Sequence, residues 1–360
     1  MKLVGKLLAY PLLTVNTVIS LLLIFSCYGS MAAPIGKWPF ASLSGLAFPF
    51  LYALNLVFLL LWLMTWKKGA WVPFLTLLIC LPSTLNYFPL HFLKSGKASE
   101  PYITVVTYNT EGFGVDDNKD ATLTNPVLNY ILGLDADIVL LQEARRDMLE
   151  KAAKDRKIKS IYPYIQLTPG SSTEACLSKY PVIRNETIVF DESSNACQYL
   201  RLLIGKDTVA VYNCHLQSNK LNPSEISEYQ KFIEHPTDNT HYDTSKKVLK
   251  KLLESTSQRA VQARMVSDRV LQETAGYLIV GGDFNDTPLS YAHRLFDRFM
   301  NDAYAMSGAG MGITYHEQRL YYRIDHLFCS RNITPLHTWV DRTQKDSDHY
   351  PIISRLRLDK

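Results

Sequence analysis

The sequence predicts an α/β domain built on two sheets, preceded by a helical region embedded in a membrane. The first 99 residues contain long apolar runs and no Asp, Glu or Arg. From residue 100 onward, short β-branched segments alternate with helical ones, which is typical of α/β domains. Several of the short segments end in Asp, Asn, Glu or His. We therefore expect a membrane region at 1–98 and one α/β domain at 99–360, a size that a single domain can reach.

Two apolar segments are long enough to cross a bilayer. Neither residues 7–28 nor residues 46–66 contain a charged side chain. Each segment has about the 20 residues that a transmembrane helix needs. Residues 71–93 predict a third span, although three prolines interrupt it. Prolines are tolerated in membrane helices when neighbouring groups satisfy the freed backbone.

The lysines predict the orientation of these spans. Lys2 and Lys6 precede the first span, and Lys67 and Lys68 follow the second. Positive residues mark the cytoplasmic side, so three spans place residue 100 onward outside the cytoplasm. We expect an integral protein of a bacterial inner membrane with a periplasmic domain. If 71–93 does not span, the domain is cytoplasmic instead.

The charge is unevenly distributed along the chain. The formal net charge is +4, and residues 1–99 hold seven Lys and no other charged side chain, so residues 100–360 carry −3. A domain that binds long nucleic acid through its phosphates is normally basic. This balance counts mildly against non-specific binding of long DNA.

The six cysteines predict neither a zinc site nor a disulfide framework. They are scattered, and no CxxC pair is present. Cys176 and Cys197 flank an expected hairpin and could pair in an oxidising compartment, but buried free thiols are the commoner outcome.

The segment YLIVGGDFNDTP, residues 277–288, organises the rest of the domain. Tyr277 to Val280 is short and apolar, as a strand covered on both faces should be. Asp283, Asn285 and Asp286 follow at once. Carboxylates at the end of a central strand suit a hard cation or an activated water. The same residue types are common in turns, so this segment alone leaves both interpretations open.

Other expected strands deliver polar side chains in the same way. A strand at 102–108 ends at Asn109, and one at 137–141 ends at Gln142 and Glu143. Strands at 175–183, 196–204 and 207–214 follow, the last ending at His215. Helices are expected at 126–134 and 144–157.

The remaining elements complete the domain. An irregular insertion at 219–241 precedes a helix at 245–274, on which Arg259 and Gln262 lie nearest the apolar positions and are expected to point inward. A helix at 289–300 and a Gly-rich loop at 307–312 come next. The last expected strands are 322–330 and the segment that begins just after Asp348 and His349.

Seven polar residues therefore fall at strand ends: Asn109, Glu143, His215, Asp283, Asn285, Asp325 and His349. Acids, amides and two histidines without a cysteine ligand favour Mg²⁺ or Mn²⁺ over zinc, and phosphoryl chemistry over acyl transfer. No GxSxG, P-loop or HExxH motif is present.

The segments NTEG, LLQEAR, LSKYPV, HLQS, GGDFNDTP, RIDHLF and SDHYP, taken in this order, resemble the endonuclease/exonuclease/phosphatase superfamily, which has the DNase I-like fold. The resemblance covers residues 102–358. It implies a four-layer α/β sandwich whose two sheets bring these loops to one edge, and a divalent metal that polarises a phosphoester.

The resemblance also implies metal ligands. Glu143 would be the principal Mg²⁺ ligand, with Asn109 and Asp348 assisting and with Mn²⁺ as an alternative ion. Some family members carry Asp two residues after the first Asn, whereas this chain has Glu111. Its longer side chain leaves a second metal position open.

The remaining roles concern catalysis and substrate. Asp283 would orient or deprotonate the attacking water, and Asn285 would hold a phosphate oxygen. His349, paired with Asp325, would act as general base or as phosphate ligand. His215 would stabilise the phosphate or protonate the leaving oxygen. Three further residues near these motifs are expected to contact the substrate: Thr314, Tyr315 and Arg323.

The expected activity is hydrolysis of a phosphodiester or phosphomonoester by in-line attack of an activated water. The substrate could be nucleic acid, a lipid head group as in a sphingomyelinase, or a small phosphoester. A membrane-bound binding module without catalysis is the rival from another class. The sequence predicts no protein partner.

Overall fold

The computed structural model describes residues 2–34, 39–65, 68–92, 101–114, 124–170, 173–191, 193–219, 224–225, 227, 242–317 and 321–359. The chain divides into two compact units: Met1–Tyr87 with Leu289–Tyr291, and Phe88–Pro288 with Ala292–Lys360. The boundary predicted from the sequence was 98/99. Most of the insertion predicted at 219–241 lies outside the described residues.

The N-terminal unit is helical. Its helices are Lys2–Gly29, Pro39–Leu43, Phe48–Thr65, Trp71–Ile79 and Leu81–Tyr87, with a 3₁₀ turn at Ser44–Ala47. Two segments of the described chain, Ala9–Gly29 and Phe40–Thr65, are long and apolar enough to cross a membrane.

The third predicted span, 71–93, is not one helix. It forms Trp71–Ile79 and Leu81–Tyr87, which separate at Cys80. Pro82 is the second residue of the later helix, a position where its missing N–H is tolerated, whereas inside a continuous helix the proline would break the ladder. Each piece is well short of the 20 or so residues that cross a bilayer as a straight helix.

Buried polar side chains join the two long helices of this unit. Ser20 Oγ donates to Asn55 Oδ1 at 2.7 Å, and Trp62 Nε1 donates to Asn16 Oδ1 at 3.1 Å. All four side chains are almost completely buried. Hydrogen bonds of this kind hold apolar helices in one register where packing alone gives little specificity.

The second unit contains two six-stranded sheets. The first sheet consists of β1 (Ile103–Asn109), β2 (Ile138–Gln142), β3 (Tyr164–Leu167), β4 (Ala175–Ser178), β11 (Ile333–Val340) and β12 (Ile352–Leu358). The second consists of β5 (Val182–Val189), β6 (Ala196–Ile204), β7 (Asp207–His215), β8 (Tyr277–Asp283), β9 (Asn301–Asp302) and β10 (Asp325–Cys329). The strand orders are β11-β12-β1-β2-β4-β3 and β5-β6-β7-β8-β10-β9. Each sheet has one parallel pair, β1 with β2 and β7 with β8, among antiparallel neighbours.

The side chains of the first sheet alternate between two cores, as a period of two requires. In β1, Val105 lies in the core shared with strands of the second sheet, whereas Val106 lies in the core shared with helices. In β2, Leu140 and Leu141 divide in the same way. The predicted arrangement of two packed sheets with helices outside is confirmed.

In the part of the chain that the structure describes, the α-helices with defined bounds after residue 100 are Pro126–Gly133, Arg146–Ala152, Arg156–Ile161, Tyr242–Leu271, Tyr291–Asp297 and Ala303–Ser307. The helix predicted at 144–157 is two helices, because Asp155 leaves the helical conformation and its side chain accepts the N–H of Ile158 as an N-cap. The helix predicted at 245–274 is present as Tyr242–Leu271, and that predicted at 289–300 is the shorter Tyr291–Asp297.

The strand predicted at 175–183 is also two elements. β4 ends at Ser178 in the first sheet and β5 begins at Val182 in the second. Pro181 lies between them, where its missing N–H breaks no ladder. All six cysteines are free and buried, including Cys176 and Cys197.

Two amides connect the sheets close to the ends of β2 and β7. Gln142 Nε2 donates to Asn213 Oδ1 at 2.6 Å. Asn213 Nδ2 in turn donates to the carbonyl oxygens of Leu141 and Ala175, each at 3.0 Å. Both side chains are fully buried. Buried and largely satisfied amides fix the distance between the sheets just below the edge at which the polar strand ends meet.

Candidate active site

The parallel strand pairs bring four of the predicted residues to one edge of the sandwich. Asn109 is the last residue of β1, and Glu143 directly follows β2. His215 and Asp283 are the last residues of β7 and β8 and lie opposite each other in the register. Asp325 begins the antiparallel strand β10 opposite Asp283. Strand ends from both sheets therefore supply the site.

Asp283 is the centre of this group and is 1% exposed. Its Oδ2 accepts from Asn109 Nδ2 at 3.0 Å and from Asn285 Nδ2 at 3.2 Å. Its Oδ1 accepts the backbone N–H of Asn285 at 2.8 Å. These three bonds hold the carboxylate in one orientation.

Gly282 is required for this arrangement. Its φ of +137° is a conformation that L side chains rarely adopt. A Cβ at this position would lie 1.9 Å from the carbonyl oxygen of Cys214. Any other residue would therefore push apart the strands that carry His215 and Asp283.

Glu143 is the most accessible of the central carboxylates, with 43% of its side chain exposed. Its Oε1 accepts from Asn109 Nδ2 at 3.1 Å and lies 3.5 Å from His215 Nε2. Its φ of +50° turns the chain sharply after β2, and its carbonyl oxygen accepts the N–H of Gly112. The loops after β1 and β2 thus support the position of Glu143.

His349 forms a buried pair with Asp325. Nδ1 of His349 lies 2.7 Å from Asp325 Oδ2, and Nε2 lies 3.8 Å from Asp283 Oδ2. Burial acts to lower the pKa of His349, but the carboxylates of Asp325 and Asp283 outweigh it and raise the pKa to about 10. The imidazole is therefore a cation at neutral pH.

Two carboxyl groups of the site resist ionisation. Burial, followed by the charge of Asp325, raises the pKa of Asp283 to about 6. Burial, with Glu111 and Glu143 adding to it, raises the pKa of Asp348 to about 6. Among the described residues, Asp325 Oδ1 accepts no hydrogen bond although it is buried. Acids that lie close together, one of them with a buried oxygen that accepts no hydrogen bond, form a ligand set that suits a hard divalent cation.

His215 has a buried acidic neighbour that the sequence analysis missed. Glu174 is fully buried, and its Oε1 lies 3.8 Å from His215 Nδ1, on the side away from Glu143. Glu174 precedes β4, so it lies at the start of a strand and not at an end. The LSKYPV segment, which begins three residues later, was the one signal that could have drawn attention to it.

The structure brings some of the predicted substrate residues to the site and buries others. The ring of Tyr315 lies edge-on to His349, with centroids 5.2 Å apart, and Tyr315 is half-buried. Thr314 is fully buried, and its Oγ1 accepts the N–H groups of Ile324 and Asp325. Arg323 is 1% exposed, with its guanidinium 4.5 Å from the ring centre of Tyr304. Thr314 and Arg323 are thus buried, and their contact with a substrate stays a prediction.

The site opens into a cleft of about 1110 Å³. Glu143, His215 and Asp348 line it together with three cations, Arg145, Arg146 and Lys345. The cleft can accept a ligand considerably larger than a phosphate ion.

A second buried cluster lies behind the turn that follows β8. His293 Nε2 is 2.9 Å from Asp302 Oδ2, and Asp302 Oδ1 accepts the N–H groups of Tyr304 and Ala305. His326 Nε2 is 2.8 Å from the carbonyl oxygen of Asp286. Burial acts to raise the pKa of Asp302, but the hydrogen bond with His293 and the charge of Arg323 outweigh it and lower this pKa. The cluster is a hydrogen-bond network that supports the turn.

Comparisons with known proteins agree with the fold. A family model described as the endonuclease/exonuclease/phosphatase family matches residues 106–349, and a model described as a domain of unknown function matches residues 6–87. No curated protein matches the chain.

Solved structures share the fold. TDP2 from D. rerio, crystallised with a single-strand DNA product, has 16% identity and a TM-score of 0.52, covering 72% of this chain and 100% of that one. An endonuclease/exonuclease/phosphatase from Bacteroides vulgatus has 16% identity and a TM-score of 0.50, with the same coverage. One from Beutenbergia cavernae has 17% identity and a TM-score of 0.50, covering 72% of each chain.

Proposed function

The chain belongs to the endonuclease/exonuclease/phosphatase family, and we propose that its second unit hydrolyses a phosphoester with Mg²⁺ as cofactor. The observation that carries this proposal is the convergence of Asn109, Glu143 and Asp283 with two histidines at one edge of the sandwich. A binding module without catalysis has no need for buried carboxylates with raised pKa values next to a cationic His349.

Glu143 would hold the cation, with Asn109 and Asp348 beside it. Glu143 is the accessible carboxylate, and Asn109 contacts both Glu143 and Asp283. When bound, a divalent cation polarises the phosphoryl oxygen and offsets the charge that develops on it. Mn²⁺ is an alternative with the same ligand preference.

Asp283 would accept the proton of the attacking water. A pKa raised to about 6 makes this carboxylate a stronger base than an ordinary aspartate, while it is still ionised at neutral pH. Asn285, bonded to Asp283 and to the carbonyl oxygen of Leu216, would orient a phosphate oxygen beside it.

His349 would act as a cationic ligand of the phosphate and not as the base. Its raised pKa keeps the proton on the imidazole at neutral pH, and Asp325 fixes the ring through Nδ1, so Nε2 carries the N–H that faces Asp283. His215 would protonate or stabilise the leaving oxygen from the opposite side, with Glu174 orienting its ring.

The substrate class that we favour is a small or lipid phosphoester. Residues 100–360 carry a formal charge of −3, which disfavours long duplex DNA. Arg145, Arg146 and Lys345 line the cleft nonetheless, and a TDP2 structure of the same fold holds a single-strand DNA product. A short nucleic acid strand is therefore the second candidate.

We propose that the N-terminal unit anchors the enzyme in a membrane, with the catalytic unit in the periplasm. Two apolar helices of sufficient length support the anchor. The lysines at 2, 6, 67 and 68 favour the cytoplasmic side for both ends of this pair, so the periplasmic placement requires that residues 71–87 cross the membrane as well.

Glu143→Gln tests the catalytic proposal. The full chain in detergent would be assayed with Mg²⁺ against oligonucleotides, plasmid, sphingomyelin, phosphoinositides and a chromogenic phosphodiester. We expect one class to be hydrolysed by the wild type and turnover to be lost in the variant, because the amide keeps the shape of the ligand but not its charge. Activity that survives within about tenfold, roughly 1.4 kcal/mol of barrier, would show that Glu143 is not the principal ligand.

A further inference from the structure

The loops that follow His215 and Asp283 both contact the same buried face of the helix Tyr242–Leu271. Arg259 and Gln262 lie on this face and are 3% and 5% exposed. A buried arginine needs charged and hydrogen-bonding partners to offset its lost hydration. The partners of Arg259 therefore show what this part of the helix holds in place.

Arg259 contacts the loop after β7 through two hydrogen bonds. Its Nη1 donates to the carbonyl oxygen of Gln217 at 2.9 Å and to Asn219 Oδ1 at 2.8 Å. Gln262 Oε1 accepts the backbone N–H of the same Gln217 at 2.7 Å. The residue two positions after His215 is thus bonded to the helix through both its N–H and its carbonyl group.

Arg259 also contacts the turn after β8. Its Nε lies 3.4 Å from Asp286 Oδ2, and the two side chains are 3% and 13% exposed. The carbonyl oxygen of Asp286 is held from the other side by His326. Asp286 directly follows Asn285, so its carboxylate and its carbonyl group fix the turn on which Asn285 stands.

The two loops are joined to each other as well. Asn285 Nδ2 donates to the carbonyl oxygen of Leu216 at 3.0 Å, and Asn195 Nδ2 donates to the same oxygen at 2.8 Å. The guanidinium thus closes a network in which both loops share one rigid support. A planar fork with several N–H donors can serve two loops at once, whereas a lysine ammonium cannot match this geometry.

We propose that Arg259 is a positioning residue for the reaction, which fixes the loop that follows His215 and the turn that carries Asn285 relative to Asp283. The inference rests on the proposed function. Without the guanidinium, both loops lose a common partner, and the side chains of His215 and Asn285 become more mobile. Misplacement of catalytic groups by about 1 Å can lower a rate by about 100-fold.

The experiment uses the full-length protein with two kinds of variant. Arg259→Lys keeps the charge and removes the fork. The pair Arg259→Gln with Asp286→Asn removes both charges, so that no buried charge is left without its partner and folding is preserved. Arg264→Lys is the matched control, since Arg264 lies on the same helix and is exposed. Melting temperature and near-UV circular dichroism establish that each variant is folded.

Two readouts follow. Amide hydrogen exchange should be faster at residues 215–219 and 283–287 in both Arg259 variants and unchanged in the control. In the phosphoesterase assay, kcat should fall by about 10- to 100-fold with KM changed little, and Arg259→Lys should retain more activity than the double variant. Adding Asn285→Ala should then cost less than it does in the wild-type background, because both changes act on one unit.

The outcomes separate this inference from the proposed function. Unchanged exchange in both loops of the folded variants overturns the positioning role, whatever the substrate proves to be. Faster exchange with wild-type kcat also overturns it, since the loops would then not need this support for the reaction. A wild-type protein that hydrolyses none of the phosphoesters, while the exchange result stands, contradicts the proposed function alone.

Discussion

At the scale of single residues, the site is built from carboxyl groups that the fold prevents from ionising in the ordinary range. Asp283 and Asp348 both have pKa values raised to about 6 by burial and by neighbouring acids. In the unfolded chain these groups ionise near the ordinary aspartate pKa of about 4. Through these two groups, the metal-free folded state therefore loses stability as the pH rises from about 4 to about 6.

A divalent cation should reverse this loss, because it favours the ionised carboxylates and competes with their protons. We expect about 5 mM Mg²⁺ to raise the melting temperature more at pH 7.5 than at pH 5. Differential scanning calorimetry of the chelator-treated protein measures this. Asp207→Asn is the control and should leave the effect of Mg²⁺ on the melting temperature unchanged, because Asp207 is exposed and lies at the far end of β7 from His215. An equal shift at both pH values would contradict the assignment of Asp348 to the metal.

His349 and Asp325 should behave as one unit. His349→Ala and Asp325→Asn are each expected to lower kcat by two orders of magnitude or more, roughly the range for groups used in the transition state, with modest change in KM. The double variant should be little worse than either single variant, since the pair shares one hydrogen bond of 2.7 Å. Steady-state kinetics on all four proteins measures the coupling; fully additive losses would show independent roles.

The sequence identified the residues at strand ends and predicted that Arg259 and Gln262 point inward, but it did not identify the other side chains that support the site. Asn109, His215 and Asp283 could be found because each interrupts an apolar run. The same rule does not find Glu174, because it precedes a strand and its proximity to His215 depends on the placement of β4 next to β2. The burial of Thr314 and Arg323 likewise depends on tertiary packing that no local pattern reports.

At the scale of elements, apolar runs predicted where strands lie better than where they end. β6 has the predicted bounds, Ala196–Ile204. β11 was not predicted, because Pro335 and polar residues obscure its alternation; it tolerates them as an edge strand with a register shift between Pro335 and His337. Composition also gave no sign that the chain leaves one sheet and enters the other between Ser178 and Val182.

The junction between the helix Tyr242–Leu271 and β8 depends on one acid. Glu273 Oε2 accepts from Tyr199 at 2.6 Å, its Oε1 accepts from Arg201 and from the N–H of Thr274, and its side chain is 5% exposed. Burial acts to raise the pKa of Glu273, but these bonds outweigh it and lower the pKa to about 2.

Glu273→Gln should therefore destabilise the protein at neutral pH by roughly 1–3 kcal/mol. The stabilisation by Glu273 is fully present above the unfolded-state pKa near 4.5 and is lost as the pH falls toward 2. Denaturant titrations at pH 7 and pH 3 measure this, and the difference between wild type and variant should shrink at pH 3. Glu254→Gln is the control, since Glu254 lies on the helix that precedes Glu273 and 60% of its side chain is exposed. A difference that is independent of pH would contradict the role of the charge.

At the scale of the whole molecule, the two sheets of the second unit share one strand arrangement. A parallel pair in each sheet, β1 with β2 and β7 with β8, ends at the site, and the antiparallel strand β10 begins there. Alternation of strands and helices predicted an α/β domain, but not that β1 pairs with β12 from the other end of the chain. Such pairings bring residues more than 200 positions apart into contact, for example Ser347 Oγ with the carbonyl oxygen of Asn109.

The orientation in the membrane is the last prediction, and it depends on residues 71–87. Two helices of the described chain could span by length and composition. Two spans with cytoplasmic lysines at 2, 6, 67 and 68 would leave the catalytic unit in the cytoplasm, whereas a third crossing places it in the periplasm. Trp71–Ile79 and Leu81–Tyr87 together contain 16 residues of helix, 9 and 7, so a crossing with a break at Cys80 is physically accessible where neighbouring groups satisfy the freed backbone.

We expect alkaline phosphatase fused after Lys97 to be active in a bacterial host and green fluorescent protein at the same position to be dark. Fusions after Lys68 provide the matched control with the opposite pattern. A fluorescent, phosphatase-inactive fusion after Lys97 would show that 71–87 does not cross, and would move both the enzyme and its substrate to the cytoplasm.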